Sequence, residues 1–212
     1  MKKKSLWWLL LLAPFFAGLT VALTEAIPTF ERAVFDLLQS LPKFFYYPMY
    51  VITEMGDAVG IIAITAVVLI VSALGKKFFT VGLPVALTVI ISRIINITLK
   101  NIIDRPRPEF KVLQAGESSF PSGHAQNNMA LYIAILLAML IFVNSPKLKT
   151  ILKISLIALP IIIGVTRIYF GVHYISDVVA GWSMGAFVAI VVHMVYFKIL
   201  GERKFKNADR TV

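Results

Sequence analysis

The chain has 212 residues, of which 58% are hydrophobic and only 15% charged, with a net charge of +10. Soluble domains run nearer about 45–50% apolar and about 25% charged. The composition therefore excludes an ordinary soluble domain, a disordered chain and a coiled coil, and leaves an integral membrane protein. The length fits a single membrane-embedded domain over residues 1–212. The basic balance does not point to nucleic acid, because most of the cations flank apolar runs, where the positive-inside rule places them. With no cysteine in the chain, disulfides, thiolate metal sites and a cysteine nucleophile are removed.

A helix that crosses a bilayer needs about 20 mostly apolar residues. Six stretches meet this, over 5–24, 49–74, 78–99, 122–144, 150–170 and 174–199. The first follows Met1-Lys2-Lys3-Lys4. Its apolar run from Leu6 to Leu23 outlasts the core of a signal peptide and meets no clear small-residue cleavage site, so it reads as a retained helix. Residues 28–42 differ. Phe30, Ala33, Val34, Leu37, Leu38 and Leu41 form one helical stripe, while Glu31, Arg32, Asp36 and Gln39 lie off it. This predicts an amphipathic helix in the outer interface, with an extracytoplasmic connector helix packed on the bundle as the competing reading, and Trp7, Trp8, Tyr46 and Tyr47 as an interfacial aromatic belt. The expected fold class is all-α: a polytopic membrane protein of six transmembrane helices plus a short amphipathic extracytoplasmic helix.

Orientation follows from the cations. Thirteen of the 21 Lys and Arg fall on the side of the N-terminus, seven on the other, and Arg93 lies within a span. Both termini are therefore expected in the cytoplasm. Arg93 sits at a depth similar to Glu54 and Asp57, and an ion pair with them is expected, with a role in orienting Lys100 as the alternative. Gly181 and Gly185 form a small-residue packing pattern, read as ordinary helix contact. His193 falls near the cytoplasmic end of the last span and is read as non-catalytic. Glu117, Ser118 and Ser119 read as a solvated loop.

Ionisable groups at the edge of a membrane are costly and point to function. Lys100 ends the third span, and Pro106 and Pro108 then impose an extended segment that lets Arg107 fold back toward Lys100. The fourth span opens with Pro121-Ser122-Gly123-His124, a helix N-terminus with free N–H groups, a hydroxyl and a glycine that admits close approach, which is an anion site. Arg167 ends the fifth span. His173 and Asp177 open the sixth at i and i+4, on one side of the helix. Lys100, Arg107 and Arg167 make a clamp for phosphate oxygens. With Asp177 accepting the Nδ1–H of His173, Nε2 is free to attack phosphorus. His124 can give its proton to the leaving oxygen. Competing readings of the His173–Asp177 pair are a structural brace and a metal site. A lipid-phosphate or anion transporter competes for the whole chain, although spans one, four and five are almost entirely apolar in their middles.

Lys100 to Pro108 matches Lys, any six, Arg, Pro; residues 121–124 match Pro-Ser-Gly-His; and Arg167, five residues, His173, three residues, Asp177 matches a third block. In these three motifs the chain resembles the type 2 phosphatidic acid phosphatase superfamily and its bacterial six-helix lipid phosphatases. The third block of that family usually opens with Ser-Arg; here Thr166 precedes Arg167, which leaves a phosphate contact by Thr166 open. The resemblance implies that His173 forms a phosphohistidine, Asp177 orients it, and His124 acts as acid and then base. It implies phosphate binding by Lys100, Arg107, Ser122, Gly123 and Arg167, with no metal and no cofactor. It further implies a site at the extracytoplasmic face of the bacterial cell (inner) membrane. The substrate it implies is a membrane lipid phosphate: phosphatidylglycerophosphate first, with undecaprenyl pyrophosphate and phosphatidic acid as alternatives. No obligate protein partner is implied.

Overall fold

The computed structural model describes residues 7–24 and 29–200. The Lys2–Lys4 run and the C-terminal cations from Arg203 onward lie outside them, as do the side chains of Trp7 and Trp8. All the regular structure among the described residues is helical. A 3-10 turn, Trp7–Leu11, leads into α1 (Leu12–Leu23). The peripheral helix α2 covers Thr29–Gln39, and α3 (Tyr46–Met55) and α4 (Ala58–Leu74) follow. A π turn, Phe78–Gly82, opens α5 (Leu83–Ile103). An irregular segment over 104–122 then leads to α6 (Gly123–Met139), α7 (Pro146–Tyr169) and α8 (Ile175–Leu200).

Three segments are long and apolar enough to cross a membrane: Phe78–Ile103, Pro146–Tyr169 and Ile175–Ile199. The predicted span 49–74 is instead two helices bent by 56° at Gly56-Asp57. The break has a packing cause. A Cβ on Gly56 would lie 2.5 Å from Ile163 of α7, and the Gly56 carbonyl accepts a hydrogen bond of 2.7 Å from Asn128 of α6. The first apolar helix is shorter than a full crossing, Leu9–Leu23.

The predicted span 122–144 is the 17-residue α6, the innermost helix of the bundle, with Gln126, Asn127, Asn128 and Ala130 buried beside Leu131 and Ala134. Its amide side chains face neighbouring helices rather than lipid. Ser92 donates to Asn127 Oδ1 (2.8 Å), Gln126 donates to the Ser92 carbonyl (3.0 Å) and Asn96 donates to Gln126 Oε1 (3.1 Å). Interhelical hydrogen bonds of this kind contribute about 0.6 kcal/mol on average inside membranes. They act here as a register lock between α5 and α6. Further along, Ile61, Val85, Leu131, Ala134, Ala138 and Ala189 close the bundle with apolar side chains.

Helix α8 lies against α6 through Gly181 and Gly185. A Cβ at Gly181 would come within 2.8 Å of the Ser122 carbonyl, and one at Gly185 within 3.0 Å of Met129 Cβ. The small-residue pattern therefore serves packing inside the chain, as expected. Trp182 fills the α7–α8 contact over Gly164 and donates to the Pro160 carbonyl at 2.9 Å.

Helix α2 buries a different face from the one its apolar stripe predicts. Glu31 and Phe35 are buried, with Val34 and Leu38 partly so, while Phe30 and Leu37 are exposed. The face is turned because Glu31, read as an outward residue, is drawn inward by Arg105 and Ser176.

Substituting Gly185 with valine forces α8 away from α6. Overpacking of this kind costs about 1–3 kcal/mol, so Gly185→Val is expected to lower the unfolding midpoint in detergent without changing helix content; an unchanged midpoint would contradict the packing described.

Candidate active site

The C-terminal ends of α5 and α7 and the N-terminal ends of α4, α6 and α8 meet at one end of the bundle. They enclose a cavity of about 390 Å³ whose lining includes Lys100, Arg107, Gly123, His124, Arg167 and His173. Six of the eight predicted site residues thus share one cavity. The other two stand behind its wall. Ser122 is the N-cap of α6, where its hydroxyl accepts from the Ala125 N–H at 3.4 Å. Asp177 is fully buried beneath His173. Thr166 spends its hydroxyl on the Ile163 carbonyl (2.6 Å) and does not line the cavity.

Each of the three cations is held by neutral acceptors. Lys100 Nζ donates to the Ser118 carbonyl at 2.6 Å. Arg107 donates to the carbonyls of Gly116 and, at 2.6 Å, Val172. Arg167 donates to the Thr53 hydroxyl of α3 at 2.5 Å, and its buried Nε has no partner. Among the described residues, no carboxylate is within ion-pair distance of any of them, so their charge stays available to an anion.

Arg107 also fixes the chemistry of His173. Its Nη1 lies 3.2 Å from His173 Nε2, and a guanidinium can only donate. Nε2 therefore carries the lone pair, which puts the ring proton on Nδ1. That nitrogen faces Asp177 Oδ2 at 3.4 Å. The separation is within ion-pair range but too long for a good hydrogen bond, and Nδ1 has no other partner. Burial, and then Arg107, Lys100 and Arg167 around it, hold the His173 pKa well below the ordinary value of 6.5. The ring is held neutral, with its Nε2 lone pair on the side of Arg107. Across the cavity, His124 Nε2 lies 3.9 Å from the half-exposed Asp57.

Two residues at the back of the site did not stand out in the sequence as functional. Arg105 is buried and donates to Asp177 Oδ1 at 2.5 Å, to Ser176 at 2.8 Å and to Glu31 at 3.3 Å. Its guanidinium also lies 4.1 Å from the centroid of the Tyr174 ring. Glu31 in turn accepts from the Ser176 backbone N–H at 3.0 Å and from the Ser176 hydroxyl. Asp177 completes its shell with the Tyr174 N–H at 3.0 Å. The Asp-Arg-Pro-Arg-Pro run was the available signal. Two arginines alternate with prolines, and only the second belongs to the motif.

Two further expectations are corrected. Arg93 makes no ion pair with Glu54 or Asp57; it is exposed and lines the cavity. Equal depth in a membrane does not give equal direction, and the Gly56-Asp57 break redirects the helix that carries these carboxylates. Ser119, read as part of a solvated loop, is fully buried, and its N–H donates to the Arg105 carbonyl at 2.8 Å. Among the described residues, no three His, Cys, Asp or Glu side chains gather as a metal site would require.

Comparison with known proteins bears on the same region. Phosphatidylglycerophosphatase B of Bacillus subtilis (strain 168) is 37% identical over 108 residues, 49% of this chain and 52% of that protein. A lipid A 1-phosphatase of Rhizobium etli is 32% identical over 139 residues, 60% of this chain and 53% of that protein. The chain thus spans about half the length of these curated relatives. The crystal structure of a transmembrane PAP2-type phosphatidylglycerolphosphate phosphatase from Bacillus subtilis superposes with a TM-score of 0.79, covering 91% of this chain and 98% of that one at 24% identity, so the fold is shared. The family model of the PAP2 superfamily matches residues 57–200, a stretch that holds every cation and both histidines of the cavity, and the chain belongs to that superfamily.

Proposed function

We propose that this protein is a lipid phosphate phosphatase that works through a phosphohistidine on His173. The observation that carries this reading is a neutral, buried histidine whose Nε2 lone pair faces a cavity lined by Lys100, Arg107, Arg167 and Arg93, none of them paired with a carboxylate among the described residues. In the first step Nε2 attacks phosphorus, an N–P bond forms and the P–O bond to the lipid alcohol breaks. His124 gives its proton to the departing oxygen. Lys100, Arg107, Arg167 and the backbone at Gly123 hold the phosphoryl oxygens, where charge spreads in the transition state. In the second step His124 takes a proton from water as its oxygen attacks phosphorus. The N–P bond then breaks and inorganic phosphate leaves. Asp177 orients the Nδ1–H throughout, and the 3.4 Å contact of the free protein tightens as the ring gains charge.

The membrane arrangement proposed with it has six crossings: α1 with its preceding turn, the bent α3–α4 pair, α5, α6, α7 and α8. Helix α2 lies in the outer interface with Phe30 and Leu37 toward lipid. Both termini are cytoplasmic and the cavity faces outward from the cell membrane. Phosphatidylglycerophosphate is the favoured substrate, supported by the relative of that name, ahead of phosphatidic acid and undecaprenyl pyrophosphate. Transport is disfavoured because the apolar cluster of Ile61, Val85, Leu131, Ala134 and Ala189 packs across the bundle beyond the cavity.

The test is phosphate release by purified protein in detergent with excess EDTA. His173→Ala is expected to lower turnover on every lipid phosphate by about 1,000-fold or more, the scale of losing a covalent nucleophile, with the unfolding midpoint retained. Near wild-type turnover in that variant would overturn the reading. The pH profile gives an independent check. A nucleophile must be unprotonated, and a lowered pKa keeps His173 unprotonated to lower pH. The acid limb of kcat/KM, corrected for ionisation of the substrate, is therefore expected below pH 6.5; a limb above that value would contradict the site described.

Arg105 acts through Asp177. Removing it leaves Asp177 and Glu31 buried without their cation, which costs about 3–5 kcal/mol of stability. Arg105→Ala is expected to be destabilised and to lose kcat by about tenfold or more with KM unchanged, because Asp177 no longer aims His173. Partial recovery of kcat in Arg105→Lys would support a positioning role; loss of KM alone in either variant would exclude it.

A further inference from the structure

One face of α5 carries Val89, Arg93, Asn96 and Lys100 at i, i+4, i+7 and i+11, and all four line the cavity. Lys100 belongs to the phosphate clamp. The proposed chemistry uses none of the other three. Asn96 is fully buried, yet its Oδ1 accepts no hydrogen bond. Its Nδ2 is already committed to Gln126 Oε1 at 3.1 Å and to the Pro121 carbonyl at 3.3 Å. The amide is therefore locked, and its oxygen points beside Gly123, where a Cβ would sit only 3.1 Å away. One turn on, Arg93 is exposed at the cavity wall and pairs with no carboxylate among the described residues. Asp57, the one carboxylate among the lining residues, lies against His124 instead. Beyond Arg93 the wall turns apolar, with Val89 of α5 and Ile61 and Ile62 of α4. An unpaired arginine within a membrane-spanning helix is costly, and such groups face partners or polar cavities.

Read from the clamp inward, the stripe is a cation, a lone acceptor, a second cation and then an apolar wall. We propose that it reads the headgroup of a lipid carrying a second phosphate, set apart from the scissile monoester by a short hydroxylated linker. Arg93 binds that second phosphate, a diester. Asn96 Oδ1 accepts from the linker hydroxyl, and the acyl chains leave past Val89, Ile61 and Ile62. Spacing selects the lipid class. Lys100 and Arg93 are seven residues apart, about 10 Å along the helix axis. Two phosphates separated by a three-carbon linker can engage both cations. Two phosphates sharing one oxygen, as in a prenyl diphosphate, are too close together, and phosphatidic acid has no second phosphate. This assignment rests on the phosphatase reading and specifies its substrate.

The experiment measures kcat and KM of the full chain in mixed micelles for wild type, Arg93→Ala and Arg93→Lys. The substrates are phosphatidylglycerophosphate, phosphatidic acid and undecaprenyl pyrophosphate. Loss of one charge-assisted contact is expected to lower kcat/KM of Arg93→Ala on phosphatidylglycerophosphate by about 10- to 100-fold, mostly through KM. The other two lipids are expected to change by less than about threefold, since neither reaches Arg93. Arg93→Lys should recover part of the loss on phosphatidylglycerophosphate alone. An equal loss on all three lipids would make Arg93 a general structural or electrostatic group, and no loss on phosphatidylglycerophosphate would remove the subsite; either overturns the inference while leaving the phosphatase reading in place. A wild type that releases phosphate from none of the three removes both.

Discussion

The cations of the cavity are held in place without being neutralised, and the rest of the site depends on that. Lys100, Arg107 and Arg167 repel one another, yet their hydrogen bonds go to the carbonyls of Ser118, Gly116 and Val172 and to the Thr53 hydroxyl. Such acceptors fix direction and leave the net charge intact. A carboxylate in the same place would compete with a phosphate and weaken the clamp. The carboxylates buried nearby, Asp177 and Glu31, instead share Arg105. The site is thus sorted into two compartments. Unneutralised positive charge faces the cavity, and a closed Asp–Arg–Glu network stands behind it. His173 sits on the boundary, with Nε2 on the cationic side and Nδ1 on the side of Asp177.

Holding like charges together takes a rigid frame, and α6 supplies it. The hydrogen bonds that join Ser92 and Asn96 of α5 to Gln126 and Asn127 set the axial position of Lys100 against that of His124. The Asn128 bond to Gly56 ties in the break from which α4 starts. The close approach of α8 at Gly181 and Gly185 brings Asp177 and His173 to the same end. In a bilayer the hydrophobic effect does not drive helices together, and packing with interhelical hydrogen bonds must do so. The same seam that stabilises the bundle therefore also positions the side chains of the cavity.

How much was legible in the sequence follows from what kind of signal each feature leaves. Lys100, Arg107, His124, Arg167 and His173 were readable because membrane-edge charges are rare and their spacing is fixed. The all-helical class followed from the length of the apolar runs. Position within the bundle was not readable. Hydropathy marked 122–144 as a span like the others, whereas α6 is the innermost helix and turns Gln126, Asn127 and Asn128 toward its neighbours. Periodicity found α2 but not its buried face, since what turns it are long-range contacts of Glu31 with Arg105 and Ser176, 74 and 145 residues away. Depth counting matched Arg93 to Glu54 and Asp57, but a helix presents a residue in one direction only, and the 56° bend after Met55 changed that direction.

The position of the cavity mouth constrains how a lipid could use the site. Arg93 and Ile62 both line the cavity and both remain exposed, with Ile62 at 66%. Besides being open at Asp57, Gln114 and Gly116, the cavity is therefore open between α4 and α5, on the side of the bundle. A substrate whose chains stay in the bilayer would enter here without leaving the membrane, its phosphate moving up α5 toward Lys100 while the chains stay against Val89 and Ile62. The wall changes from apolar to polar along that route, in the order in which a lipid changes from chain to headgroup. The 56° break between α3 and α4 falls on this wall, where Gly56, Asp57, Ala58 and Ile61 line the cavity.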